Sequence, residues 1–186
     1  PICSPYILFL GRLSDIKGPD LLLDAFIKVA DRLPDIQLVF AGPDDGMRQS
    51  LMEMASKCSL ARRVHFIGYI GGQEKVTMLR GARLLCIPSR REAMSIVVLE
   101  AGICKTPVLF TNACGLEALA REGAGTMVEV SGDALASGLR TMLSNEPEAG
   151  RRAERLSAIV SERYLWGIQA DRYLALYSRL LTKGAV

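Results

Sequence analysis

The sequence predicts a doubly wound parallel α/β sheet of about six strands, followed by a wholly helical carboxyl-terminal segment. Three observations carry that expectation. Short continuous apolar runs recur along the chain, the first three end in glycine-bearing loops, and stretches with apolar residues at helical spacing follow the runs. A run without polar alternation reads as a strand buried on both faces, and a parallel sheet covered by helices is its natural place.

Taken in order, Tyr6-Ile7-Leu8-Phe9-Leu10 is the first such run and ends at Gly11-Arg12. Gly18-Pro19-Asp20 then opens a helix, because Pro is pre-organised for a first turn and Asp suits the dipole there. Leu22, Phe26, Val29 and Leu33 form its buried stripe. Ile36 to Ala41 reads as the second strand, with Gly42 to Gly46 as its loop and a helix over 47–59. Val64 to Ile67 is the third, ending at Gly68 and followed by Gly71-Gly72 and a helix over 73–82. Leu84 to Ile87 and Pro107 to Phe110 are the fourth and fifth, separated by a helix that carries Glu100. A short helix over 113–122 leads to a sixth strand, Thr126-Met127-Val128.

From Asp133 onward the spacing is helical, with Leu135, Leu139 and Leu143 and then Leu156, Val160 and Tyr164 facing a core. Trp166, Tyr173 and Tyr177 on the terminal helix are expected to pack inward by default, an exposed apolar patch being the alternative, and His65, the single histidine, to be packed or at a sheet edge rather than catalytic. No repeat or interdomain linker interrupts the pattern, so residues 1–186 read as a single domain.

Composition narrows the function classes. The formal charge of +3, from 23 basic and 20 acidic residues, is too balanced for a nucleic-acid binder. Of the Arg pairs at 62–63, 90–91 and 151–152, two read as solvated faces. Five cysteines form an odd set with no C-x-x-C, which argues against a disulfide framework and a zinc site and fits a reducing, cytoplasmic compartment. There is no apolar run of about 18 residues and no charged-then-apolar leader. The chain begins without Met and enters a strand almost at once, which suggests a piece of something longer.

In a doubly wound sheet the ligand crevice lies beyond the carboxyl ends of the strands, where this chain puts loops 11–18, 42–46, 68–72 and 89–95. The first, Gly11-Arg12-Leu13-Ser14-Asp15-Ile16-Lys17-Gly18, sets a cationic fork and a point charge between a strand end and a helix start, a pattern suited to an anion. It is neither a Walker loop nor the G-x-G-x-x-G dinucleotide fingerprint, which disfavours a nicotinamide-dependent oxidoreductase. Glu92 and Glu100 are the candidate carboxylates. In one continuous helix they would stand about 12 Å apart along the axis and about 80° around it. That is wide for a glycosidase pair, at roughly 5 to 9.5 Å, but suits the two hydroxylated ends of a diphosphate-linked ligand.

Gly11-Arg12-Leu13, Lys17-Gly18, Phe66-Ile67-Gly68, Pro88-Ser89, Glu92 with Glu100-Ala101, and Thr106-Pro107-Val108 resemble the ordered landmarks of the carboxyl-terminal domain of group 1 (family 4) retaining glycosyltransferases of GT-B architecture. The resemblance covers residues 5–181 and implies a Rossmann-like domain that binds a nucleoside diphosphate sugar, with no cofactor and no metal. It implies donor contacts from Gly11, Arg12, Lys17, Tyr69, Ile70, Glu92, Ala93, Met94, Ser95, Ile96 and Glu100. Arg12 and Lys17 would neutralise the diphosphate, Glu92 would accept from the donor sugar, Glu100 would hold the ribose, and Tyr69 and Ile70 would border the base. Arg12, Lys17 and Glu92 are thereby the catalytic candidates, in transfer of a hexose to a hydroxyl acceptor with retention, in bacterial-type polysaccharide, lipopolysaccharide or glycolipid synthesis.

The resemblance further implies that the acceptor-binding amino-terminal domain is absent from these residues, that this domain alone is inactive, and that the full-length protein is cytoplasmic with access to a membrane surface. Two positions depart from the pattern. Ala93-Met94-Ser95 stands where the family usually has Gly-Phe-Gly, and Lys105 stands where Gly commonly precedes Thr-Pro-Val. A loop altered in this way is also compatible with a non-catalytic nucleotide-binding or assembly module.

Overall fold

The computed structural model describes residues 4–183 and shows one six-stranded sheet in the order β3-β2-β1-β4-β5-β6. Its strands are β1 (Tyr6–Leu10), β2 (Gln37–Ala41), β3 (Val64–Gly68), β4 (Leu84–Ile87), β5 (Val108–Thr111) and β6 (Thr126–Val128), and every neighbouring pair is parallel. The helices are α1 (Pro19–Val29), α2 (Arg48–Lys57), α3 (Gly72–Gly81), α4 (Ile96–Ile103), α5 (Glu117–Arg121), α6 (Gly132–Ser144), α7 (Glu146–Arg163) and α8 (Trp166–Lys183). This is the doubly wound, Rossmann-like arrangement that the alternating runs predict.

Alternation along the strands divides the core. Ile7, Phe9, Leu38 and Phe40 point to one face with Leu22 and Phe26 of α1 and Leu135 and Leu139 of α6. Leu8, Leu10, Val39 and Ala41 point to the other with Leu79 of α3, Val98 and Ala101 of α4, and Leu156 and Val160 of α7. Both faces are covered, so the strands need no polar side, and the continuous apolar runs follow from that burial. His65 lies on edge strand β3, half-buried, with Nε2 3.0 Å from the side-chain oxygen of Gln37. No helix among the described residues is long and apolar enough to cross a membrane.

Three expectations need correction. The helix over 113–122 is confined to Glu117–Arg121, because Gly115 adopts a left-handed φ of 66° and turns the chain under the loop at Ala93. Trp166, Tyr173 and Tyr177 do not pack inward: they are 88%, 59% and 57% exposed, and from Ala170 to Leu181 every side chain of α8 is exposed among the described residues. Finally, each Arg pair keeps one exposed member, Arg62, Arg91 or Arg151, while the other is tied to the fold. Arg63 donates to the carbonyls of Ala30, Leu33 and Ile36 and lies over the Phe26 ring, closing the turn between α1 and β2. Arg90 is tied to the first loop, and Arg152 reaches the carbonyl of Gly125 at 3.1 Å.

The end of α4 explains one departure from the family pattern. The amide of Thr106 donates to Ala101 O at 2.9 Å and that of Lys105 to Gly102 O at 3.1 Å, the two bonds of a Schellman motif. Its left-handed position falls on Lys105, with φ 57°. A Cβ there costs about 1 kcal/mol. Lys105→Gly should therefore raise stability by about 1 kcal/mol, less the small contribution of the exposed Lys105–Glu154 pair. Lys105→Ala, which loses the pair and keeps the strain, should show no gain. Urea unfolding midpoints of the two variants check this, and a Lys105→Gly protein no more stable than Lys105→Ala would contradict it.

Candidate functional site

Strand β1 lies between β2 and β4, so the crossovers of the sheet diverge between β1 and β4 and leave a crevice at their carboxyl ends. Loop 11–18 leaves β1 and loop 88–95 leaves β4, and they meet across that crevice. Gly11 N–H donates to Ala41 O at 2.9 Å and Leu13 N–H to Pro43 O at 2.9 Å, which prolongs the β1–β2 pairing into the loop. The side chain of Arg12 then projects outward, 61% exposed, with Nη1 3.2 Å from Oδ2 of Asp45 in the neighbouring loop.

A 3-10 turn over Asp15–Lys17 follows, and Gly18, at φ 64°, reverses the chain into α1. A Cβ on Gly18 would stand 2.2 Å from the carbonyl oxygen of Pro88, so a larger residue would push the loops apart. Lys17, next to it, extends Nζ to 2.9 Å from Oε1 of Glu92, whose side chain is only 9% exposed. Ser89 Oγ donates to the same carboxylate oxygen. Ser89 is itself fully buried, and its carbonyl accepts from Thr111 Oγ1 at 2.5 Å, so the base of the loop is pinned to β5.

Loop 88–95 is held from its other side by the turn after β5. Glu92 N–H donates to Ala113 O at 2.8 Å and Ser95 N–H to Cys114 O at 3.1 Å, while the Ala93 carbonyl rests so closely on Gly115 that a Cβ there would be 2.0 Å away. Among the described residues, positive φ outside glycine occurs at Ser59 and Lys105 alone. Ala93, Met94 and Ser95 thus adopt this loop without left-handed strain. Ser95 ends the loop as the N-cap of α4, with no side-chain cap bond and no acidic residue in the first turn. The N-cap side chain therefore does not satisfy the first amides of α4.

One turn into α4, Glu100 is about one-third exposed, and its Oε1 lies 2.6 Å from Nζ of Lys75 on α3. No bond joins Glu92 to Glu100 among the described residues; each carboxylate holds a different lysine. Tyr69 is exposed at the end of β3, whereas the side chain of Ile70 is packed in the core, which leaves its backbone as what it can offer a ligand. A groove of about 630 Å³ lined by Met94, Ile96, Leu99, Trp166 and Tyr173 reaches Glu100 from the α8 side.

The sequence missed Lys75, Ser89, Asp45 and the Asp20–Arg90 tie. Asp20 was legible only as a residue favourable to the helix dipole, and Arg90 only as one of an Arg pair. In the fold, Arg90 Nη1 and Nη2 meet the two oxygens of Asp20 at 2.9 and 2.6 Å. Half-burial pushes the Asp20 carboxyl up, but the hydrogen bonds and charge of Arg90 outweigh it and hold the carboxyl below the ordinary aspartate value.

Comparison with known proteins agrees with this architecture. The family profile described as "Glycosyl transferases group 1" matches residues 3–158. The D-inositol 3-phosphate glycosyltransferase of Corynebacterium urealyticum is 32% identical over 190 residues, taking in 98% of this chain and 45% of that protein. The chain therefore spans less than half the length of that curated relative. Among solved structures, the carboxyl-terminal domain of a group 1 glycosyl transferase (LpcC) from Francisella tularensis superposes with a TM-score of 0.80, 22% identity and 87% coverage of both chains. Anabaena HepE, solved in complex with UDP and glucose, superposes with a TM-score of 0.83 and 23% identity over 94% of this chain and 48% of that one. These two likenesses establish the fold.

The lowered Asp20 value has a signed consequence. Its stabilisation is fully present above the ordinary aspartate pKa of about 3.9 and is lost as pH falls through the lower folded-state value. Asp20→Asn should destabilise the protein at pH 7 and flatten the fall in urea midpoint below about pH 4. Parallel acid limbs for variant and parent would contradict it.

Proposed function

The chain belongs to the group 1 glycosyl transferases, and from that premise we propose that the crevice between β1 and β4 binds the nucleoside diphosphate sugar of a hexosyl transfer to a hydroxyl acceptor, with retention. The observation that carries this reading is the meeting of Lys17 and Glu92, 2.9 Å apart, beside the uncapped start of α4. A cation, a carboxylate and a helix N-terminus in one crevice match the three chemical parts of such a donor's reactive end.

In this reading Lys17 and Arg12 face the diphosphate. An ammonium has three donors, so Lys17 can keep Glu92 and still bond a phosphate oxygen. Arg12 is paired only at the surface, and such a pair is weak enough for the guanidinium to exchange Asp45 for phosphate. As the bond from sugar to phosphate breaks, negative charge grows on the leaving diphosphate, and fixed donors from Lys17, Arg12 and the first amides of α4 at Ile96 lower the barrier. Glu92 accepts from the hexose hydroxyls with the oxygen that Ser89 and Lys17 leave available. Glu100, oriented by Lys75, accepts from the ribose, and the backbone of Tyr69 and Ile70 borders the base.

The complex of HepE with UDP and glucose supports a uridine nucleotide as the first ligand to try. The chain spans 45% of the length of its Corynebacterium urealyticum relative. In this reading acceptor binding falls to the remainder, catalysis requires it, and the whole enzyme acts in bacterial-type polysaccharide, lipopolysaccharide or glycolipid synthesis.

Calorimetric titration with UDP, GDP and ADP checks the assignment. The chain should bind one of them weakly, and Arg12→Ala and Glu100→Ala should each weaken that binding at least tenfold, roughly what loss of a hydrogen bond to a charged group costs. If both variants bind like the parent, the site is wrongly placed.

A further inference from the structure

We propose that Arg90 is a positioning residue for the diphosphate-binding loop, acting on the donor through Lys17; this rests on the donor-site reading above. Arg90 lies in loop 88–95 yet spends its polar groups on the loop across the crevice. Its backbone N–H donates to Ile16 O at 2.8 Å, and Nη1 donates to Asp15 O at 2.7 Å. The same guanidinium grips both carboxylate oxygens of Asp20 in the first turn of α1. These contacts fall on the two residues before Lys17 and on the third after it, so they bracket the one lysine that faces Glu92.

The turn around Lys17 is anchored at Leu13 and closed by Lys17 N–H to Ser14 O and Gly18 N–H to Asp15 O, both 3.0 Å. These bonds are all on its own loop and its neighbour at β2, and none reaches across the crevice. Its 3-10 turn has no buried residue and no side-chain cap, and Ile16 is 42% exposed. The contact of Gly18 with Pro88 sets how close the loops come, but one backbone contact does not by itself fix the angle between them. Arg90 fixes that angle. A planar fork that satisfies a carboxylate bidentately, with a further N–H bonded to a carbonyl, fixes orientation as well as distance, and an ammonium cannot reproduce it. The Arg90 side chain is 29% exposed and that of Asp20 33%, so the tie is partly shielded from water and salt.

The consequence is pre-organisation. With Arg90 in place, Lys17 stands against Glu92 before any ligand arrives, and the donor does not have to order the loop on binding.

Titration of the nucleoside diphosphate that the parent binds, among UDP, GDP and ADP, decides the matter through a double-mutant cycle. Arg90→Ala should weaken binding about tenfold, Arg90→Lys should recover little of it, and Lys17→Ala should weaken binding as well. In the Lys17→Ala background, Arg90→Ala should have almost no further effect, because the group it positions is gone. A purely structural role would instead give additive losses. Asp20→Asn carries the same prediction should Arg90→Ala fold poorly. Binding by Arg90→Ala and Asp20→Asn equal to the parent's, or additive losses in the cycle, would overturn the inference and leave the donor site standing. A parent chain that binds none of the three nucleotides would overturn both.

Discussion

Two parallel strands, β1 and β4, lie side by side at the centre of the sheet while the chain winds away from them in opposite directions, and the site depends on that constraint. Right-handed crossovers put successive helices on one face when the chain moves one way and on the other when it moves back. Loops 11–18 and 88–95 therefore leave adjacent strand ends toward opposite faces, and the crevice between them cannot be filled by either helix. The burial of both sheet faces fixes the strands, and close backbone contacts fix the loops. Gly18 lies against Pro88 and Gly115 against Ala93, at distances that exclude a Cβ. The crevice is thus a product of topology, and the side chains in it add chemistry to a shape already determined.

That chemistry is arranged in compensated pairs. Glu92 holds Lys17, Glu100 holds Lys75, Arg12 holds Asp45, and Asp20 holds Arg90. A largely buried carboxylate such as Glu92 is costly without a cation, so Lys17 and Ser89 are what allow it to sit there. The pairs differ in how readily they open. Arg12–Asp45 is well exposed on both sides and can be exchanged for a ligand's charge, whereas the bidentate Arg90–Asp20 tie crosses two loops with additional main-chain bonds. In the proposed reading the first is a binding group and the second a frame.

Much of the fold was legible because its signals are local. Continuous apolar runs marked all six strands to within a residue or two, and glycines marked the loops after β1, β2 and β3. At the candidate site, Arg12, Lys17, Glu92 and Glu100 stood out because they lie in or just after those loops. Their partners did not. Lys75 is 25 residues from Glu100 and Arg90 is 70 from Asp20, and no periodicity connects residues joined only by strand order. The left-handed turn at Gly115 shortened a helix that apolar spacing alone would have extended. The terminal helix misled for the opposite reason: Trp166, Tyr173 and Tyr177 have core-like spacing, and their exposure is a property of what α8 does not meet within the described residues.

The central claim is that loops 11–18 and 88–95 form one donor site at the β1–β4 switch point. Titrating the isotope-labelled chain with UDP-glucose and following its backbone amide resonances tests that directly. The account predicts concerted shifts in residues 11–18, 69–70 and 93–100, with the rest of the sheet unmoved. Shifts confined to a surface elsewhere, such as the groove between β6 and α6, would contradict it.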